Sequence, residues 1–426
     1  MVARVVTVSA LALHDSDDRC PGAVHAVAAA DGALVRVRVP GGYLGVAALR
    51  ALAAMAERYG DGAMDITARA NVQLRGLRES DLARVATALA VAGLLPSVTH
   101  ERVRNIVASP FAGIDPDERC DVRPLVAALD RSLIADRELS ALPPKFLFAI
   151  DGGGRGIDTH AADLVARVCG AEGALRYAVL IAGEARSLDI EAGDVVAVVL
   201  ALARHALALA RKAGAPRTWR LATLPGDLER IPARLTAYAR PAQNDPRTGP
   251  SREPVAPLGV SDARDDDRIN LVPSIPLGRV SAVQANALAR LADEHGADVR
   301  LGPWRGVALG DFPRAALEFA RETLRAVGLP LDGRDGFAGV VTCAGRGGCD
   351  AALADVRADA ATYAAVARRS VNVNFAGCEK RCGMRRGADA DVVATARGYD
   401  VWLHGVRVAA ALDANAAIAL VSGTRR

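Results

Sequence analysis

Between Leu34 and Val39 apolar and charged positions alternate, Val35, Val37 and Val39 against Arg36 and Arg38. A period of two predicts a half-buried strand, and Pro40-Gly41-Gly42 ends it. From Val46 to Tyr59 the period becomes helical. Leu49, Leu52 and Ala56 share one face, and Gly60 stands at the C-cap. Met64–Thr67 and Val72–Leu74 read as short strands, and Ser80 is placed to cap a helix over roughly Asp81 to Gly93. The order then recurs. Ile269–Val272 is a strand stopped by Pro273, and Leu277-Gly278 echoes Leu44-Gly45. The run from Leu288 to Gly296 echoes Leu52 to Gly60, and Trp304–Leu309 takes the place of Asn71–Leu77. Two readings stand: a duplicated βαβ-type unit giving two pseudo-symmetric halves, or chance likeness among alanine-rich helices. Between the halves, Arg240–Asp267 carries five prolines and ends in a charge run, as a linker would.

Composition narrows the class. The 426 residues are 51% hydrophobic and 24% charged, which describes a folded chain of several domains. A net charge of +4 excludes a dedicated nucleic-acid binder, and 4% aromatics leave little for a stacking platform. The balance suits an anionic small molecule if the positive charges cluster. No apolar run reaches the ~18 residues of a membrane span, so none is expected. Val5–Leu13 behind Arg4 resembles a signal peptide. Its apolar core is too short, which points instead to a first strand or a disordered start in a cytoplasmic protein.

Cysteine spacing carries the strongest chemistry. Of seven cysteines (20, 120, 169, 343, 349, 378 and 382), four fall within 40 residues. Cys343 and Cys349 form C-x5-C, and Cys378 and Cys382 form C-x3-C. Clustering in a reducing compartment points to metal rather than disulfides. Four thiolates suit a [4Fe–4S] cluster, one ligand per iron. Structural zinc is the rival, but it prefers closer knuckles than C-x5-C. Between the pairs, Asp350–Arg369 reads as a helix and Val371–Phe375 as a strand delivering the second pair. The surroundings are glycine and alanine, with Arg346, Lys380, Arg381, Arg385 and Arg386 adding positive charge.

Other motifs are weaker. Thr67 to Arg75 contains Arg69, Gln73 and Arg75. Arg102, Arg104 and Asn105 follow, then Lys145-Phe146. Guanidiniums at strand ends can converge on a polyanion, although most arginines are solvated surface charge. Phe146–Ile150, the run Asp151 to Gly156 and an expected helix mimic a dinucleotide site. The glycine pattern is not GxGxxG, so a tight turn fits better. The seven scattered histidines offer no facial-triad spacing.

Together, the C-x5-C and C-x3-C pairs, Arg69 to Gln73, Arg104-Asn105 and Lys145-Phe146 resemble the nitrite/sulfite reductase superfamily. The resemblance covers about Leu34 to Gly405. It implies an α+β, pseudo-two-fold duplicated fold, each half a ferredoxin-like unit plus an α/β domain. The expected divisions are 1–97 and 98–239, a linker at 240–267, then 268–333 and 334–426. Asp18 to Gly22, Pro303 to Gly306 and Gly377 to Gly383 resemble the precorrin-3B synthase branch in particular. Siroheme reductases usually have Pro-Asn and a small residue where Glu379, Lys380 and Arg381 stand. They also usually keep a second lysine where Leu147 stands. These departures argue against siroheme and against sulfite or nitrite reduction. That branch implies a cluster on Cys343, Cys349, Cys378 and Cys382, with Cys382 nearest the substrate. It also implies precorrin-3A and O2 as substrates and an external electron donor. A mononuclear non-haem iron is associated with the branch, and the sequence does not place its ligands. The substrate's many carboxylates would be met by Arg69, Gln73, Arg75, Arg104, Asn105, Lys145, Lys380 and Arg381. Glu379 is the candidate acid–base group. No nucleic acid or membrane partner is expected.

Overall fold

The computed structural model describes residues 20–154, 157, 159, 162–169, 175–181, 186–216, 218–224, 235, 239–241, 257–333, 335–367, 371–384 and 387–423. The signal-like segment, His14, Asp18-Arg19, Arg155-Gly156, His160, most of the proline-rich stretch, and Arg385 and Arg386 lie outside the described residues.

The first unit runs β1 (Val27–Ala29), β2 (Gly32–Val37), β3 (Tyr43–Leu44), α1 (Val46–Tyr59), β4 (Ala63–Ile66), β5 (Val72–Leu77) and α2 (Leu82–Val91). Helix α1 has the bounds its periodicity predicts, and Gly60 caps it through its N–H to Ala56 O. Ser80 does not cap α2. It lies in a short 3-10 turn, Glu79–Asp81, and the Asp81 side chain at the N-cap takes Arg84 at 2.7 Å instead of a backbone N–H.

The second unit is a mixed sheet with helices. It holds β6 (Ile106–Ala108), α3 (Arg123–Ala135), β7 (Phe148–Asp151), β8 (Leu164–Cys169), β9 (Arg176–Ile181), β10 (Arg186–Glu191), α4 (Val195–Lys212) and β11 (Ala239–Pro241). After the Asp151 glycine turn the next described element is strand β8, not the expected helix, so the dinucleotide reading has no support. The helical stretch Ala192–Lys212 is long and apolar enough to cross a membrane by composition, and half of it is buried. Val198, Val199, Leu202 and Ala203 of α4 sit in the core of this sheet, as in a core helix.

The order then repeats as β12 (Gly259–Asp262), β13 (Arg268–Val272), β14 (Arg279–Ser281), α5 (Ala282–His295), β15 (Asp298–Gly302), β16 (Gly306–Pro313) and α6 (Leu317–Ala326). The last unit holds β17 (Val340–Thr342), α7 (Val356–Val366), β18 (Val373–Ala376), β19 (Ala390–Thr395), β20 (Gly398–Leu403), β21 (Val406–Leu412) and α8 (Ala414–Ser422). Strand β12 falls inside the stretch read as linker and pairs antiparallel with β13, so the second half-domain begins earlier than the prolines suggested. Helix α7 is shorter than the predicted Asp350–Arg369, because Asp355 caps it at Ala358 N.

The duplication is written into the sheets. Both ferredoxin-like sheets have five strands, and each borrows its edge from the other half: β14 pairs with β4, and β3 pairs with β15. Helices α1 and α5 pack together, and one core runs from Ala23 through Leu331. Arg279 crosses between the halves to Asp61 at 2.6 Å and Asp65 at 3.1 Å. The matching repeat register aligns Leu277-Gly278 with Gly41-Gly42, not Leu44-Gly45. Gly41, Gly42, Leu277 and Gly278 all adopt positive φ. The two α/β sheets also agree. β6, β7 and β8 are parallel and β9 turns back, as β17, β18 and β19 are parallel and β20 turns back.

Candidate functional site: thiols beside buried guanidiniums

The four clustered cysteines sit on loops at the carboxyl ends of β17 and β18, where parallel strands leave a crevice. Gly377 N donates to Cys343 Sγ at 3.2 Å, and Leu353 N to Gly377 O at 2.7 Å, so the two loops are hydrogen-bonded together. A Cβ at Gly377 would lie 3.3 Å from that sulfur and 3.0 Å from the Ala352 Cβ, so the backbone must stay bare there. The Cys382 thiol is pushed up by burial first, then by the fields of Cys378, Cys343 and Cys349, with Lys380 opposing. All four thiols therefore share one electrostatic neighbourhood. Among the described residues no three His, Cys, Asp or Glu side chains converge as a single metal ion requires. Tetrahedral zinc would need its sulfurs on the order of 4 Å apart. A cube held at its corners spreads them, and an amide N–H to sulfur is what such clusters use for tuning. The donor set fits a [4Fe–4S] cluster.

Next to these loops lies a group of buried and half-buried guanidiniums. Arg36 on β2 is half-buried, and Arg38, just past the end of that strand and on the same face, is 2% exposed. Arg36 Nη1 lies 3.7 Å and Arg38 Nη2 3.8 Å from the sulfur of buried Cys20. Arg36 also donates through Nε to Gln73 Oε1 at 2.9 Å, its register partner on β5. Arg38 Nη1 is buried with no hydrogen-bond partner. The Arg36 guanidinium is pushed down to about 10 by burial, then by Arg38, with Arg69 and Arg305 adding to it. Arg69 is pushed down to about 10 by burial, then by Arg220 and Arg38. Burial also lowers Arg38. At neutral pH the set stays cationic, and two charges about 6 Å apart repel by ~3 kcal/mol at an effective dielectric of about 20. The nearby carboxylates are engaged: Asp163 takes Arg220 at 2.9 Å, and Glu101 takes His25 at 2.5 Å and Ala23 N at 2.6 Å. Such a group has donors to offer an external anion.

Three loops surround these guanidiniums. The Glu101 carboxylate holds the Cys20-Pro21-Gly22 turn from beneath, where a Gly22 Cβ would collide with it. Asn105 Nδ2 donates to Arg102 O at 3.0 Å and Pro144 O at 2.8 Å, tying down the turn that carries exposed Lys145. Cys20 Sγ meets Pro144 O at 3.9 Å, bringing that turn to the arginines.

The expected site residues divide. Arg69, Gln73, Asn105 and Lys145 belong to this neighbourhood. Arg75 joins Asp31 at 2.9 Å and reaches the Gly348 carbonyl beside Cys349, so it braces the cysteine loop. Arg104 is buried in a two-pronged pair with Asp130 at 2.8 and 2.7 Å. Arg381 lies 4.0 Å over the Trp402 ring and 3.7 Å from Asp391. Lys380 and Glu379 are exposed beside the thiols. The sequence reading missed Arg36, Arg38, Arg220 and Glu101. The available signal was two arginines on one face of a strand whose neighbour carries Gln73 and Arg75.

Known proteins resemble this chain in sequence and fold. The nitrite/sulfite reductase ferredoxin-like half domain matches residues 27–92 and 262–327, and the nitrite and sulphite reductase 4Fe-4S domain matches 99–248. The second match covers the first α/β sheet, whose topology the cysteine-bearing sheet repeats. A precorrin-3B synthase from Sinorhizobium is 28% identical over 91% of this chain and 82% of its own. A ferredoxin–nitrite reductase from Synechococcus elongatus is 30% identical over 87% and 80%. The solved NirA protein of Mycobacterium tuberculosis superposes with a TM-score of 0.69 at 22% identity, covering 89% of this chain and 76% of that one.

Proposed function

The chain belongs to the nitrite/sulfite reductase superfamily, and from that premise we propose that it acts on precorrin-3A as a precorrin-3B synthase. The reaction hydroxylates carbon 20 of the macrocycle with one atom of O2, the other leaving as water, and a ring-A acetate closes a lactone. Two electrons come from an external donor. A [4Fe–4S] cluster, when bound, supplies electrons one at a time.

The observation that supports the reading is the group of guanidiniums gathered around Cys20, of which Arg38 is buried with one donor unpartnered and Arg36 and Arg69 are half-buried. A substrate fringed with acetates and propionates brings carboxylates within reach of Arg36, Arg38 and Arg69, and Arg forks onto carboxylates. Arg38 Nη1 is a pre-placed donor. Asn105 positions the Lys145 turn at the rim, where a mobile ammonium meets a peripheral carboxylate. Gln73 holds Arg36 in orientation. Exposed Glu379 is the candidate to move a proton between bulk water and the pocket edge. A mononuclear iron, if used, draws on ligands beyond any grouping of three among the described residues.

The kinship to a nitrite reductase at 30% identity favours one alternative, a siroheme-dependent reductase. The absorption spectrum of anaerobically purified protein, before and after dithionite, separates the two. A broad absorbance that bleaches, with no Soret-type band, is the expected result. A Soret band with siroheme features makes the chain a reductase. Oxygen-dependent conversion of precorrin-3A by the reduced protein then tests the reaction itself.

A further inference from the structure

One guanidinium belongs to both the cation pocket and the cysteine loops. Arg305 sits in the turn between β15 and β16 at φ 65°, a left-handed backbone that costs a non-glycine residue on the order of 1 kcal/mol. The equivalent turn of the first half places Ala70 at φ 53°, so the turn comes with the repeat while the long side chain is peculiar to this half. Arg305 Nη1 donates to Thr342 O at 3.5 Å, and Nη2 donates to Gly383 O. Thr342 directly precedes Cys343, and Gly383 directly follows Cys382. The arm is given room by glycine: a Cβ at Gly278 would lie 2.9 Å from the Arg305 Cβ, and one at Gly383 would strike the guanidinium. In the other direction its charge is felt by Arg36.

We propose that Arg305 is a positioning residue that staples the first and last cysteine segments together and transmits the occupancy of the cation pocket to the cluster they hold. The transmission rests on the tetrapyrrole reading above; the staple does not. A planar fork can hold two carbonyls in fixed directions, whereas a lysine keeps the charge but holds such a pair poorly. An anion arriving at Arg36, Arg38 and Arg69 changes the field and the pull on the same guanidinium. A cluster's potential responds to nearby charge and to the set of its loops.

The test uses the full chain with its cluster, made and kept anaerobic, as parent, R305K and R305Q. The first readout is the rate of iron release to a ferrous chelator. The second is the change in reduction midpoint, followed by electron paramagnetic resonance, on saturation with uroporphyrin III, an octacarboxylate tetrapyrrole. Both variants are expected to release iron about tenfold faster than the parent, the scale of a lost outer-shell contact. The parent midpoint moves on binding uroporphyrin. R305K, which still binds it, loses most of that movement. Release at the parent rate in both variants overturns the staple. An unmoved parent midpoint with uroporphyrin bound, or a full shift retained in R305K, overturns the transmission. Failure of uroporphyrin to bind the parent overturns the pocket reading and the transmission with it, while the release rates still decide the staple.

Discussion

The crevice at the carboxyl ends of β6 and β7 and the one at β17 and β18 are the same construction filled in two ways. Ladder register aligns Ile106 and Phe148 with Val340 and Val373, which brings Gly152 opposite Gly377 and Ser109 opposite Cys343. In both copies the glycine carbonyl accepts a bond from the returning loop, Arg119 N at 3.0 Å in one and Leu353 N at 2.7 Å in the other. In both copies a side chain presses on the bare backbone. At Gly377 it is the Cys343 sulfur; at Gly152 a Cβ would lie 2.6 Å from Glu118 Oε1. The strand-end frame is thus inherited twice. What approaches the glycine, a thiol or a carboxyl, separates a redox centre from a packed interface. In the first copy the loop goes on to bury Phe111 and Ile114 against Trp304 and Val272 of the second half-domain.

The deepest break in this comparison comes from the thiol side. Cys378→Ser should cost the cluster outright, with iron, acid-labile sulfide and the visible absorbance all falling close to zero. The half-domains, whose core lies elsewhere, should keep their circular dichroism. Cluster absorbance retained in the variant would remove Cys378 from the ligand set. Next in size is Arg38→Ala. It deletes a buried donor in the cation pocket, and hydrogen bonds to charged groups are worth ~1.5–3 kcal/mol, so uroporphyrin affinity should fall ~10–100-fold. Fluorescence titration at fixed salt measures this. An unchanged Kd places the ligand elsewhere.

Arg104→Ala sharpens the contrast between arginines that wait for a ligand and arginines that are already paired. Arg104 and Asp130 form a buried two-pronged pair inside the first α/β domain. Removing the buried partner leaves a half-buried carboxylate unpaired, a loss of ~1.5–3 kcal/mol of stability, less than a fully buried pair would show. Denaturant unfolding should show it, while uroporphyrin affinity should move less than in Arg38→Ala. The opposite ranking would make Arg104 a ligand contact.

How far the chain could be read without coordinates follows from what each signal encodes. Periodicity located α1 to the residue and found the strands on either side, because burial of Leu49 and Leu52 repeats at the helical period. The cysteine spacing survived because it is local to two loops. Periodicity also showed that Arg36 and Arg38 share a face. It does not say whether that face meets water or another domain, and here it meets Cys20, Gln73 and Arg69. Contacts between residues far apart in the chain left no local trace, as with Glu101 under the Gly22 turn, 78 residues from Ala23, and Arg75 on the Gly348 loop. The exchanged edge strands were hidden for the same reason: β3 and β14 are two and three residues long, and their partners lie in the other half. Beside a charge run, Gly259–Asp262 offered too short an alternation to be read as a strand.

The smallest effect belongs to the carboxyl that fills the first crevice. Burial pushes Glu118 up to about 7 from an ordinary 4.5, against the pull of the Gly113 N–H, which bonds its Oε2 at 2.6 Å. Its other oxygen is buried without a partner. With the folded value above the unfolded one, the native state holds the extra proton between about 4.5 and 7. Stability from this group therefore falls as pH rises through that window and is lowest above it. The loss is ~1–3 kcal/mol. Glu118→Gln keeps the shape and the acceptor for Gly113 but carries no charge at any pH. Relative to the parent it should gain stability between pH 5 and pH 8, read as diverging denaturant midpoints. Parallel midpoints across that range would mean that Glu118 ionises as freely in the fold as in water. The first crevice would then owe its filling to packing alone.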